Sequence, residues 1–243
     1  MRSPSEPSPS SHSFPPFTLS SPSGKVPIPS TLPSPPHVRP LDFDALDLDD
    51  DLKESGAPLP FVQQALYEMA DALLSSVAQT NPCPPSSPQQ STQRLPFFPP
   101  PAPLPRPTCA FALLFADTQE HVLLPAHGLV WALSSPRLSF LGRNTSVLDD
   151  QDRLQLPVVH LTVPSKAAWP LLHDFVYTSS SAALLTAILS PPPSLSSLSP
   201  LAIRLDRVRQ LWHNAVALDI VDETFWSVLR RAWDVLVQEA TAA

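Results

Sequence analysis

The histidines are the residues of this sequence whose chemistry best suits acid–base catalysis or metal binding. His121 and His127 lie six residues apart, and neither has a cysteine or carboxylate at the spacing that a zinc site uses. His173 is next to Asp174, but adjacency in sequence does not place one side chain so that it orients the other. The spacing therefore predicts no metal site. The one catalytic hypothesis that remains for these histidines is a hydrolase that uses His127 or His173.

Other catalytic and cofactor motifs do not occur in the sequence. Its four glycines are scattered, so they cannot form a phosphate-binding loop, and there is no G-x-S-x-G nucleophile motif. Cys83 and Cys109 are too few for a disulfide framework or a zinc site, and reduced thiols fit the nucleus or cytoplasm better than secretion. We therefore expect no catalytic residue, no cofactor and no metal, and a protein of the nucleus, the cytoplasm or both.

Charge and hydropathy narrow the class of partner. The net charge is -7 and the 15 lysines and arginines form no long run, whereas contacts to nucleic-acid phosphates need clustered basic residues. No apolar run approaches the length of a membrane span. The sequence therefore favours protein partners over direct contact with nucleic acid or a membrane.

The distribution of proline predicts the domain organisation. Of the 34 prolines, 25 fall within residues 1–108, where they disfavour helix interiors and central strands. We therefore expect a disordered Ser/Pro-rich tail over 1–58 and a stiff Pro-rich linker over 81–108. The packed domain is expected over 109–243, a length sufficient to fold alone.

An acidic-hydrophobic segment lies within the predicted tail. Over residues 41–52, aspartates alternate with apolar residues, a composition typical of disordered activation or docking segments. A calcium loop is excluded because the central glycine and final glutamate are missing. The alternatives left open are a partner-docking motif and a solvated acidic linker. The candidate docking residues are Leu41, Phe43, Leu46, Leu48 and Leu52.

One amphipathic helix is predicted over residues 59–80. Apolar residues follow each other at helical spacing, and no proline interrupts the segment between Pro60 and Pro82. Such a helix either packs back on the domain or binds another protein. Its candidate partner-binding residues are Phe61, Leu66 and Leu73.

The packed domain is predicted to contain both strands and helices. Its apolar runs predict strands at 109–116, 121–125 and 156–163. Its helical spacing predicts helices at 127–135, 165–178 and 181–190, a shorter helix between the first of these and residue 141, and two more at the C-terminus. A polar loop is expected over 142–155. Ser165 and Asp222 are expected to cap helices, and Trp212 and Trp233 to be buried.

This order of elements, together with single residues, resembles the BTB/POZ domain. That family has a histidine at the start of a helix, followed at set spacing by an apolar residue, a serine, often a proline, and another apolar residue. It then has a helix with paired leucines that ends in an aromatic-Thr pair. The matching residues are His127, Trp131, Ser135, Pro136, Leu138, Leu171, Leu172, Phe175, Tyr177 and Thr178. The resemblance implies an α+β fold, a BTB/POZ-like helical cluster with a small sheet over 109–243, and a possible homodimer.

Two positions depart from the pattern of that family. Gly128 stands where a basic residue usually follows the histidine, and Ser179 stands where a glycine usually follows the Tyr-Thr pair. The segment after residue 178 is also longer and richer in proline. Dimerisation and cullin binding are properties of some members of that family. These differences weaken what the resemblance implies about both properties more than what it implies about the fold.

The whole chain also resembles the clampless-type proteins of mushroom-forming fungi, through its Ser/Pro tail, its acidic segment and this domain. That resemblance implies a non-enzymatic regulator of sexual development, acting in the mating-type pathway and in clamp-cell formation by binding transcription factors or other proteins. The alternative that a BTB-type domain implies is a substrate adaptor for a cullin ubiquitin ligase.

Overall fold

A computed structural model describes residues 31–35, 41, 46–83, 94–143, 145–191 and 200–242. In chain order, the elements of these residues are helices α1 (Asp50–Glu54), α2 (Leu59–Glu68) and α3 (Ala70–Gln79), strands β1 (Asn81–Pro82), β2 (Arg94–Phe98), β3 (Cys109–Phe115) and β4 (Glu120–Ala126), helix α4 (Gly128–Ala132), a 3-10 helix (Pro136–Leu141), strands β5 (Val147–Leu148) and β6 (Leu154–Val163), and helices α5 (Trp169–Thr178), α6 (Ser181–Leu189), α7 (Pro200–Ala217) and α8 (Glu223–Ala242). The expected mixture of helix and sheet is confirmed.

Strand β3 lies inside the sheet because its side chains are apolar on both faces. It pairs with β4 antiparallel, from Cys109↔Ala126 to Phe115↔Glu120. It pairs with β6 parallel, from Ala110↔Val158 to Phe115↔Val163. The three strands predicted from apolar runs are therefore neighbours in the sheet, in the order β6-β3-β4, with β4 at its edge.

The predicted Pro-rich linker over 81–108 contains two strands that the sequence did not reveal, and at these strands the prediction is wrong. Strand β2 pairs antiparallel with β6, and β1 pairs with β2, which extends the sheet beyond β6. Phe97 is fully buried and packs with Ala110, Leu154 and Leu156. Pro96 is tolerated in β2 because β1 covers only the end of that strand, so the position is close to an edge. Residues 84–93 lie outside the described part.

The largest aromatic cluster joins α4, α5 and the sheet. The indole rings of Trp131 and Trp169 stack at 5.4 Å with parallel planes, and Phe111 meets Trp131 edge-on at 5.2 Å. Helix α5 buries the face that its paired apolar residues predict, with Leu172, Phe175, Val176 and Tyr177 in the core and Leu171 and Thr178 half-buried.

The C-terminal helices pack with the predicted face inward. Trp212 and Trp233 are both buried, as expected. The carboxylate of Asp222 accepts hydrogen bonds from the amides of Thr224 and Phe225, which confirms it as the cap of α8.

Ser165 does not cap α5. Its backbone N–H donates to Oδ1 of Asn214 at 2.8 Å, and the amide of Asn214 donates back to the Ser165 carbonyl at 2.8 Å. The residue preceding α5 is Ala168. The fully buried side chain of Asn214 thus bonds both backbone groups of Ser165, and this pair of hydrogen bonds joins the end of β6 to α7.

The single helix predicted over 59–80 is two helices. Helices α2 and α3 meet at Met69, whose backbone (φ -93°, ψ 3°) departs from helical geometry. No glycine or proline marks the break, so the apolar spacing could not reveal it. Within the described residues, none of the helices combines the length and apolar character needed to cross a membrane.

Candidate partner-binding site

The acidic-hydrophobic segment is folded onto the domain where the structure describes it. Leu46 is 2% exposed and Leu48 8% exposed. The expectation that these two leucines lie in a disordered tail, free for a partner, is therefore wrong. Leu41 and Leu52 are half-buried, and Phe43 lies outside the described residues.

Contacts with the 3-10 helix hold this segment in place. The backbone N–H of Asp47 donates to the carbonyl of Ser139 at 3.2 Å. The guanidinium of Arg143 lies 3.4 Å from the carboxylate of Asp47 and 3.2 Å from that of Asp50. These ion pairs are on the surface and contribute little. Burial of the two leucines is therefore the main stabilising term.

The segment passes close to Gly142. A Cβ atom at this position would lie 2.7 Å from the carbonyl oxygen of Asp47 and 3.0 Å from a methyl carbon of Leu48. Any side chain at 142 would therefore push the segment outward. The glycine is needed for space, since its backbone is in the ordinary helical region.

An apolar groove opens beside the docked segment. It encloses a cavity of about 390 Å³ between the α1–α2 connection and α4. Seven apolar side chains line it, from α1, α2, α4 and their flanking residues: Leu48, Leu52, Ala57, Leu59, Val62, Leu129 and Leu133. All but Leu48 and Leu133 are half-buried, so the groove presents apolar surface to solvent.

The groove is bordered by carboxylates on one side. A second, more open depression of about 550 Å³ is lined by Asp49, Asp50, Asp51, Leu52 and Ser55. Leu52 lines both cavities, so the acidic depression and the apolar groove adjoin each other at this side chain. Lys53 is the single basic residue that lines either cavity.

The predicted helical partner residues divide between surface and core. Phe61 is 68% exposed, and Met69 is exposed at the break between α2 and α3. Leu66 is half-buried, whereas Leu73 is 3% exposed. Leu73 is therefore wrong as a partner-binding residue, because α3 packs this face against the domain. Leu59, Val62, Leu129 and Leu133 line the groove and were missed, since apolar spacing does not show which residues of a helix border a cavity.

The candidate catalytic histidines lie in a buried polar network. The backbone N–H of His127 donates to the hydroxyl of Tyr177 at 3.0 Å, and its ring Nδ1 is 3.3 Å from that hydroxyl. Its Nε2 is 3.4 Å from Oγ of Ser76, which donates to the carbonyl of Pro105. The ring of His173 packs on that of Tyr177 at 4.8 Å. Both histidines therefore join elements of the core.

Burial sets the protonation of this network. Burial lowers the pKa of His127 to about 4; the Pro105 carbonyl opposes this effect and His173 adds to it. Burial raises the pKa of Tyr177 well above its usual range, against the opposing hydrogen bond from His127. Burial also raises the pKa of the Cys109 thiol to about 12, which makes that cysteine a poor nucleophile. At neutral pH His127 and Tyr177 are therefore both uncharged.

Among the residues that the structure describes, no three histidine, cysteine or acidic side chains come together as metal ligands would. His121 and His127 lie at opposite ends of β4, so the spacing noted in the sequence corresponds to a strand's length rather than to a shared site.

Comparison with protein-family models identifies two matched regions. Residues 33–164 match the model described as the Clampless protein 1 N-terminal domain, and residues 183–242 match that of the Clampless protein 1 C-terminal domain. The chain belongs to the clampless protein family. Neither a curated protein nor a solved structure matches it. Membership of the clampless family is consistent with a developmental regulator in fungi.

The groove lies wholly within the clampless N-terminal region. Its lining residues fall between Leu48 and Leu133, and the docked acidic segment lies inside the same matched range. Helices α6, α7 and α8 fall within the C-terminal region from residue 183 onward, apart from the first residues of α6. Helix α5 connects the two regions.

A buried serine joins the two matched regions of this clampless-family chain. The hydroxyl of Ser135 donates to the carbonyl of Leu218, and the backbone N–H of Val221 donates to the carbonyl of Ser134 at 3.1 Å. Ser135 is fully buried, Pro136 begins the 3-10 helix, and Leu138 is buried. Ser135, which the sequence analysis matched to the BTB/POZ pattern, therefore has a hydrogen-bond partner in the C-terminal region.

Proposed function

We propose that this clampless-family chain is a non-enzymatic protein-interaction module that regulates fungal sexual development, including clamp-cell formation in the mating pathway. Family membership supports the developmental role. The observation that carries the interaction role is the apolar groove, since half-buried leucine and valine side chains around a cavity of about 390 Å³ are typical of a docking surface.

The proposed developmental role and the negative net charge together indicate which class of protein the chain binds. A regulator with a net charge of -7 acts on genes through transcription factors rather than through its own contacts with DNA. We propose that such proteins are its partners, in the nucleus or on the way to it. The docking residues of this proposal are Leu52, Leu59 and Val62, with Phe61 exposed on the same helix.

We propose further that the domain is BTB/POZ-like. Support comes from the strand pair β3–β4, the following helices, and the return of β6 parallel to β3 before α5. The residues of the sequence motif also pack together, with His127 bonded to Tyr177 and Trp131 stacked in the same core. A homodimer through this domain belongs to the same proposal.

Clamp-cell formation in a host that lacks the endogenous protein tests this proposal. We expect the Val62→Asp variant to fail to restore clamp cells, because a carboxylate in the groove opposes apolar docking. The matched control is Val235→Asp, which places the same change on the exposed face of α8, where Val235 is 40% exposed. Both variants must accumulate to the wild-type level. Normal clamp cells with Val62→Asp would refute a role for the groove in development.

The cullin-adaptor alternative has its own test. Helix α5 ends in the Tyr-Thr pair and buries most of its apolar side chains. A partner that binds this helix would therefore contact exposed polar residues such as Asp174. Co-purification of a cullin that is lost on Asp174→Arg would favour the ligase adaptor. If no cullin co-purifies and clamp-cell formation is lost in Val62→Asp, the result favours the transcriptional regulator.

A further inference from the structure

We infer that the groove takes an amphipathic helix whose flanks are basic. This inference rests on the proposed function, since it names the chemistry of the partner segment that docks there. It is drawn from three features of the groove: its apolar lining, its carboxylate border and the elements that build its walls.

The walls of the groove favour a helix over an extended peptide. An extended peptide gains its affinity from backbone hydrogen bonds to the open edge of a sheet or, in the polyproline form, from a groove lined by aromatic side chains. None of the residues that line this groove is aromatic. The lining residues of this groove belong instead to α1, α2, α4 and the segments that flank these helices. A helix satisfies its own backbone and presents only side chains, so it can bury apolar residues here without unpaired amides.

The size of the cavity sets the number of anchors. A volume of about 390 Å³ accommodates a few aliphatic side chains of the partner. Apolar residues at i, i+3 or i+4, and i+7 lie on one face of a helix, which matches a groove lined by Leu59, Val62 and Leu129.

The carboxylates at the border of the groove favour basic residues on the flanks of the partner helix. From Asp47 to Ser55 the segment carries five carboxylates, and the nearby basic residues are Lys53 and Arg143. Because Leu52 lines both the groove and the acidic depression, a helix anchored in the groove lies beside Asp49, Asp50 and Asp51. Lysine or arginine on that flank gains attraction, whereas glutamate would be repelled.

The inference is tested with synthetic helical peptides and the full-length protein. The first peptide has leucines at i, i+3, i+4 and i+7 with lysine and arginine on both flanks. A second has glutamate in place of every basic residue, and a third has the composition of the first in scrambled order. Binding is measured by fluorescence anisotropy at low and at high salt, with helicity of each peptide matched by circular dichroism.

We expect the basic peptide to bind saturably and the other two to bind on the order of tenfold more weakly. The Val62→Asp variant separates apolar docking from charge attraction. It makes the site more acidic, so attraction alone would strengthen binding of the basic peptide, whereas lost apolar contact weakens it about tenfold. Val235→Asp is the control and should bind as the wild type does.

The Asp51→Lys variant tests the carboxylate border. We expect it to weaken the basic peptide about threefold at low salt and to have less effect at high salt, because salt screens exposed charges. Asp234→Lys makes the same change on the exposed face of α8 and should leave binding unchanged.

Four results would overturn the inference: equal binding of the acidic peptide, stronger binding by Val62→Asp, no peptide binding at all, or a wild-type dimer that Val62→Asp dissociates, which would place a second copy in the groove. None of these would by itself overturn the developmental role. If no peptide binds but Val62→Asp abolishes clamp cells, the groove has a partner of another chemistry. If Val62→Asp forms clamp cells normally, the proposed function fails whatever the peptides do.

Discussion

The backbone N–H of Asp47 donates a hydrogen bond to the carbonyl of Ser139 at 3.2 Å, which joins the acidic segment to the 3-10 helix. On either side of this bond, Leu46 and Leu48 enter the core. The segment therefore forms one wall of the groove instead of reaching out to a partner. Its aspartates remain at the border, where they contribute charge to the site.

Substitution of Gly142 by alanine is expected to loosen this wall. The new Cβ would lie 2.7 Å from the Asp47 carbonyl, so the segment must shift, at a cost of about 1–3 kcal/mol in the free energy of unfolding. Hydrogen exchange at residues 46–50 should accelerate. The control is Gly56→Asn: this position has open space, and its left-handed backbone suits asparagine. Unchanged exchange at 46–50 in Gly142→Ala would contradict the packing described.

The leucines of the segment are expected to differ in their effect on stability. Leu46→Ala should lower the free energy of unfolding by about 2–5 kcal/mol, because Leu46 is 2% exposed. Leu52→Ala should cost roughly 1 kcal/mol or less, because the side chain is half-buried in the groove. Urea unfolding of both variants measures the two values. A larger loss in the free energy of unfolding for Leu52→Ala than for Leu46→Ala would contradict the deeper burial of Leu46.

Variants of the acidic segment in cells must separate loss of docking from loss of stability. Alanine at Leu46 and Leu48 would remove core side chains as well as any docking contact, so lost activity would not identify a partner site. Substitutions at Leu52 and Val62 act on the groove with less effect on the core.

Stability should fall between pH 6.5 and pH 4 because of His127. Its folded pKa is about 4 and its ordinary value is 6.5, so the unfolded chain binds more protons in this range. The contribution is complete above pH 6.5 and is lost as the pH falls to 4, an effect of about 3 kcal/mol. Burial also lowers the pKa of His213, which contributes in the same direction.

Urea unfolding at several pH values separates these two histidines. His127→Asn should flatten most of the pH dependence, and His213→Asn should leave most of it. A wild-type profile that is already flat between pH 4 and 6.5 would show that His127 is not held neutral by burial.

Ser135→Ala is expected to destabilise the protein by about 1–3 kcal/mol, because the buried carbonyl of Leu218 loses its side-chain donor. Ser227→Ala, on an exposed position of α8, should change the free energy of unfolding by less than about 0.5 kcal/mol. Equal effects of the two substitutions would mean that the Ser135 bond contributes nothing to joining the two matched regions.

The central strands and most helices could be predicted from local sequence. The run 109–115 is short and apolar between polar or proline-rich neighbours, and the helix after Ala168 has apolar pairs at helical spacing. In both cases a few neighbouring residues determine the element, because a continuous apolar run indicates a strand buried on both faces and helical apolar spacing indicates a helix buried on one face.

The groove could not be predicted in the same way. The leucines at 46 and 48 are surrounded by aspartates, a composition that favours disorder, and their burial depends on Gly142 and Ser139 far along the chain. Strand β2 was missed because Pro96 sits in its middle, which is tolerated only because its neighbour β1 is so short. Such long-range contacts leave no periodic pattern in the sequence.

The most direct test of the account is quantitative recovery of partners from the native host during mating. Full-length wild type, Val62→Asp and Val235→Asp are purified at equal abundance, and bound proteins are identified by mass spectrometry. We expect a defined set, including transcription factors, to be recovered with wild type and Val235→Asp and lost with Val62→Asp. Recovery of the same partners in the same amounts with all three would contradict the claim that the groove is the docking surface.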